Sequence, residues 1–124
     1  MPKAIRITAG EVKVGAELND SATAKSVSDA LPIKARGNRW GEEIYFSIPV
    51  VAGLEEGARD VLEAGELGYW PSGNAFCIFF GPTPASRGDE IRAASAVNII
   101  GKITGDLSQL PNVPDGASVS IEAD

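Results

Sequence analysis

The chain is expected to fold as a single, small, mainly-β closed barrel of about eight strands with one or two short helices. Three observations lead there. Short stretches of alternating apolar and polar residues recur along the 124 residues, and a period of two is the signature of a strand with one buried face. Five of the eight aromatic residues fall in one segment, Gly65 to Pro84, which reads as strand, turn, strand and rigid exit. Finally, about eight strands in so short a chain leave exposed edges unless the sheet wraps onto itself.

The elements follow in order. Lys3 to Thr8 sets Ile5 and Ile7 on one face and Arg6 and Thr8 on the other; Val12 and Val14 repeat the pattern in Glu11 to Leu18. Gly10 between the two runs makes them a hairpin. Asn19 and Asp20 offer helix caps, and Ala22, Ala24, Val27, Ala30 and Leu31 follow at helical spacing until Pro32 stops the helix. Pro32 to Arg39 reads as a strand with Gly37-Asn38 near its end. In Glu42 to Ile48, Ile44, Phe46 and Ile48 face one way and Glu43, Tyr45 and Ser47 the other.

Val50 to Glu66 allows two readings. Leu54 to Leu62 suits a short acidic helical turn, whereas Gly53, Gly57 and Gly65 suit a loop. The aromatic hairpin comes next. Its second strand, Ala75 to Phe80, is apolar on both faces, as a strand covered on both sides would be. Gly81 to Ala94 reads as a long surface loop, Ala96 to Ile103 as a buried strand, Asp106 to Leu110 as one helical turn, and Ala117 to Glu122 as the last strand.

Composition excludes several functions. No apolar run approaches the ~20 residues that cross a bilayer, and the first ten residues lack a signal-peptide pattern, so the cytoplasm is the expected compartment. The net charge is −6 and the basic residues are scattered, which argues against nucleic acid and against anionic membrane surfaces. There is no His. That removes Ser–His and Cys–His nucleophile pairs and His-containing zinc sites. A lone Cys cannot form an internal disulfide, which fits a reducing compartment.

At this point the pattern resembles a known family. Asn98-Ile99-Ile100-Gly101-Lys102-Ile103 is similar to a late cyclophilin strand, and Ala75-Phe76-Cys77-Ile78 to its aromatic core strand. The Tyr69-Trp70-Pro71 turn, the Phe79 to Pro84 exit and the Val97 to Ile103 strand together resemble a family of small uncharacterised prokaryotic cyclophilin-like proteins. Glu66 departs from that pattern, which has Asp there. The resemblance implies a cyclophilin-like barrel over residues 1–124. It does not imply prolyl isomerisation, because the isomerase groove uses an Arg, aromatics, a Gln, a Trp and a His. The only Gln is Gln109, far from the groove position, and Pro84 to Ala96 contains neither Trp nor His. Arg36 or Arg39 would match the groove Arg. A fold does not by itself carry a reaction.

Candidate site residues are weighed against plainer roles. Arg39, Glu43 and Tyr45 come from adjacent strands and would form a polar wall able to orient a ligand by charge-assisted hydrogen bonds; the plainer role is a solvated exterior with one ion pair. Tyr69, Trp70 and Phe76 belong to the hairpin, as core or as pocket wall. The Trp70–Pro71 bond is a candidate for the cis form. Cys77 reads as a buried structural thiol, since no base activates it. The acidic pairs Glu42-Glu43, Glu55-Glu56 and Asp89-Glu90 put neighbours on opposite strand faces, so they do not share a site. Carboxylate-only Mg²⁺ or Ca²⁺ binding stays open, although it lacks a loop motif. Gly81-Pro82-Thr83-Pro84 reads as a stiff turn rather than a phosphate loop, and Arg87 and Arg92 as solvated loop charges.

The expected function is therefore binding of a small polar or peptide-like ligand in a cleft beside the hairpin, lined by Arg39, Glu43, Tyr45, Tyr69, Trp70 and Phe76. No catalytic residue, metal or cofactor is expected. The alternatives are a divergent peptidyl-prolyl cis-trans isomerase and a non-catalytic interaction module or enzyme subunit.

Overall fold

The computed structural model of the chain describes residues 2–124; Met1, the first residue of the expected 1–124 domain, lies outside them. The chain runs β1 (Lys3–Ala9), β2 (Val12–Leu18), α1 (Ala22–Asp29), β3 (Ile33–Arg36), β4 (Asn38–Arg39), β5 (Glu43–Ser47), β6 (Arg59–Leu62), β7 (Glu66–Trp70), β8 (Ala75–Phe79), β9 (Ile91–Ile103) and β10 (Ser118–Ala123). Single 3₁₀ turns occupy Pro71–Gly73 and Leu110–Asn112. The architecture is mainly β with one helix among the described residues.

The hairpin of β1 and β2 pairs Ile5 with Ala16 and Ile7 with Val14, and all four side chains are buried. The helix begins one residue later than the Asn19-Asp20 reading. Ser21 is the N-cap, and its Oγ accepts from the Ala24 amide, satisfying one of the orphan donors of the first turn. Asn19 instead accepts from the Ser21 amide and donates through Nδ2 to the Ile99 carbonyl. The helix thereby docks beside β9 and buries Thr23, Ala24 and Val27.

The strands join in the order β3-β10-β1-β2-β9-β7-β8-β5-β4, with β6 added to β9. Among the described residues the count is ten rather than eight for two reasons. The stretch expected as one strand over Pro32 to Arg39 is divided at Gly37, and β6 lies in the segment read as loop or helical turn.

The closed-barrel expectation also needs correcting. The sheet is not closed by hydrogen bonds, because its terminal strands β3 and β4 do not pair with each other. They are consecutive in the chain: β3 pairs with β10, β4 pairs with β5, and Gly37 carries the backbone across. At this seam Gly37 donates to the Ala117 carbonyl and accepts from the Gly116 amide. A Cβ on Gly37 would stand 3.0 Å from Ile44 Cγ2 and 3.1 Å from Val119 Cγ2, so apolar packing fills the place where ladder bonds are missing.

Inside the curved sheet, Ile5, Ile7, Leu18, Ile44, Phe46, Leu67, Phe76, Ile78 and Ile100 form the main core. Each buried side chain of this size contributes about 1.5–3 kcal/mol. Phe46 stacks on Phe76 with ring centroids 5.3 Å apart. A second apolar cluster lies on the outer face of β8, where Ala75, Cys77 and Phe79 are covered by Leu62 of β6 and by Ile91, Ala93 and Val97 of β9. Strand β8 is thus buried along its whole length, as its two-sided apolar character implies. Strand β9 begins at Ile91, earlier than the expected Ala96, because its N-terminal part pairs with β6. No helix among the described residues is long and apolar enough to cross a membrane.

Candidate functional site

A cavity of about 210 Å³ lies at the edge of the outer cluster. Its floor is the outer face of β5 and β8, contributing Glu43, Tyr45 and Cys77. Trp70, from the end of β7, forms one side, and Trp40, from the turn between β4 and β5, another. The β9 segment adds Ala93, Ala94 and Val97. Tyr45, Trp40 and Trp70 are half-buried, so the cavity communicates with solvent past aromatic rings.

Glu43 is the unusual member. It is 5% exposed and takes part in none of the ion pairs formed by the described residues. Removal from water disfavours its charged form and pushes its pKa up to about 7; the neighbouring Cys77 side chain pulls the other way. Cys77 itself is held well above the ordinary thiol value, first by burial and then by the neighbouring Glu43 charge. It stays a neutral thiol, as the sequence reading holds, but it also touches the one buried carboxyl of the cavity.

Trp70 is fixed by its indole Nε1–H, which donates to Ser95 Oγ at 2.6 Å. This bond ties the end of β7 to β9 beside the cavity. The Trp70–Pro71 bond is trans; among the described residues the cis bond is Leu31–Pro32.

The six sequence-derived candidates divide into two groups. Glu43, Tyr45 and Trp70 meet at the cavity. Tyr69 and Phe76 face inward on the same hairpin, both 0% exposed, and belong to the main core. The Tyr69 hydroxyl donates to the Val50 carbonyl at 2.6 Å and accepts from the Ala52 amide.

Arg39 is turned away from the cavity. Its guanidinium donates to the carbonyls of Gly41, Pro111 and Val113 and to the Glu42 carboxylate, and it lies 5.3 Å over the Phe80 ring. All of its donors are engaged in holding loops together. Arg36 donates to the Gly116 carbonyl. Neither lines the cavity. Arg92 is not a free loop charge: it lies in β9 and bridges Glu90 and Asp60.

Sequence reasoning missed Trp40 as a wall and the contribution of Ala93 to Val97. Trp40 precedes Gly41 in a turn and sits in no alternating run, so no period marks it. Ala93 and Ala94 lie in the segment read as loop, whereas Val97 belongs to the expected buried strand, which the sequence did not link to the cavity. Among the described residues no cluster of His, Cys, Asp and Glu is placed to hold a metal ion.

The fold is that of a cyclophilin-like protein. The family described as Cyclophilin-like matches residues 3–122, and the chain belongs to it. It is also similar to the hypothetical protein AF2241 from Archaeoglobus fulgidus, whose solution structure has 42% sequence identity and a TM-score of 0.84, covering 99% of this chain and 95% of that one. No curated protein matches.

Proposed function

We propose that the cavity between β5, β8 and β9 is a binding site for a small polar molecule, and that the protein acts by binding rather than by catalysis. The observation that carries this reading is the buried carboxyl of Glu43, placed without a counter-charge at the bottom of an aromatic-walled opening. Ligand sites are typically apolar concavities with a few polar groups that fix orientation. A cavity of about 210 Å³ is smaller than the roughly 300–1,000 Å³ of drug-sized sites, which favours a compact ligand, or one residue of a peptide, over a long extended chain. A net charge of −6 and a wall without Lys or Arg speak against nucleic acid as partner. The free, buried Cys77 is compatible with a reducing, cytoplasmic setting.

The isomerase alternative draws less support, because both candidate groove arginines are engaged elsewhere. The test is a thermal-shift screen of small metabolites and capped dipeptides on the wild type and Trp70→Ala. Ligands that stabilise the wild type and lose their effect in the variant are expected. Equal responses in the two proteins would place binding outside this cavity.

A further inference from the structure

The chemistry of the wall narrows the ligand class; this step rests on the reading of the cavity as a ligand site. Three aromatic side chains, Trp40, Tyr45 and Trp70, surround a single buried carboxyl. The remaining wall is Ala93, Ala94 and Val97, with the Cys77 thiol beneath. The indole N–H of Trp70 is already committed to Ser95. A sugar, a phosphate or a carboxylate would need several donors, and this wall has almost none to give.

A cation has the opposite requirements. Ring faces carry negative potential and attract an ammonium group, and a carboxylate supplies the counter-charge. Conversely, a carboxylate in a water-poor site is costly without a partner, and no basic side chain lines the cavity. The groups that face Glu43 are Cys77 from β8, Tyr45 from its own strand, Trp70 from β7, Trp40 from the β4–β5 turn, and uncharged residues from β9. The overall acidity of the chain also draws cations toward it.

We infer that the cavity is a receptor for a small organic cation, with an alkylammonium head group seated against Glu43 and enclosed by the rings of Trp40, Tyr45 and Trp70. Binding completes a charge pair that the protein leaves half-built.

The experiment compares choline with its uncharged isostere 3,3-dimethylbutan-1-ol, by calorimetry and by tryptophan fluorescence, on the wild type, Glu43→Gln and Trp70→Ala. A panel of neutral capped dipeptides and heterocycles is titrated alongside. Choline is expected to bind at least tenfold tighter than the isostere, and Glu43→Gln is expected to abolish that preference. Because Glu43 titrates near 7, choline affinity should rise about tenfold from pH 6 to pH 8 as the carboxyl ionises. The isostere comparison needs only the wild type, so it stands even if a variant folds poorly. Equal affinity for choline and isostere, or choline binding that Glu43→Gln leaves intact, overturns the cation assignment. If neutral panel members still bind in a Trp70-dependent way, the ligand-site reading survives that result; if nothing binds at all, both fail together.

Discussion

Glu43 and Cys77 lie diagonally across the β5–β8 ladder. Glu43 pairs with Phe79 and Tyr45 with Cys77, so the two side chains meet on the outer face, where the carboxyl lies beside the buried thiol, whose hydrogen is donated to the Ala75 carbonyl. Diagonal neighbours on one face of an antiparallel pair are within reach of each other. A neutral thiol cannot balance a charge, so Glu43 remains electrostatically open.

Stability should therefore depend on the proton at Glu43. Its pKa is raised to about 7 in the folded chain from an ordinary 4.5. Between those values the folded state binds a proton that the unfolded state has released. The resulting stabilisation is complete below about pH 4.5 and is lost as pH rises through 7. At 1.36 kcal/mol per unit, the loss is roughly 3 kcal/mol. Urea denaturation at pH 5 and pH 8.5 measures it as the difference between wild type and Glu43→Gln: the variant should gain relative stability at the higher pH. A constant difference would contradict the assignment.

Arg39 should behave as a strut. Its guanidinium joins the β4–β5 turn to the carbonyls of Pro111 and Val113 and covers Phe80. Lys cannot reproduce a forked donor. Arg39→Lys is expected to cost about 1–3 kcal/mol in denaturation, with ligand response at the cavity unchanged. A variant of full stability that loses binding would reverse the two roles.

Gly101 should tolerate no side chain. It pairs with Leu18 across β2 and β9, and a Cβ there would lie 2.0 Å from the Glu17 carbonyl oxygen. A backbone carbonyl in a ladder cannot swing aside as a flexible side chain does. Gly101→Ala should cost about 3 kcal/mol or more, at the upper end of overpacking penalties, read as a lowered melting temperature or insoluble expression.

Asn98 should anchor the loop after β5. It is fully buried; its Nδ2 donates to Thr23 Oγ1 and the Gly53 carbonyl, and its Oδ1 accepts from the Glu55 amide. Thr23 also holds the Glu55 carboxylate. Asn98→Ala removes three bonds worth about 1 kcal/mol each. The expected result is a loss of about 3 kcal/mol together with faster amide exchange over residues 53–55, measured by hydrogen exchange. Unchanged exchange there would show that the loop is held by other contacts.

Much of the fold was legible because alternation is a local property. Ile5/Ile7, Val12/Val14 and Ile44/Phe46/Ile48 mark their own faces, and the aromatic hairpin marks both its strands and its turn. Strand β6 was not legible. Arg59, Asp60 and Val61 are exposed and only Leu62 is buried, so it is a strand through its pairing with β9 and not through any period of its own. The N-terminal part of β9 was hidden for the same reason, since Pro and Gly upstream make the region look like loop.

The sequence alone determined that Glu43 and Tyr45 share the face of β5 opposite Ile44 and Phe46, because side chains alternate along a strand. It also determined that β8 has no solvated side. What only the tertiary structure decided is what covers those outer faces. Strands β6 and β9 fold over Phe79 and Cys77 but stop short of sealing Glu43, which turns a strand face into a cavity and separates it from Arg39. Coverage of a sheet face depends on contacts between residues far apart in the chain, and no local pattern encodes that distance.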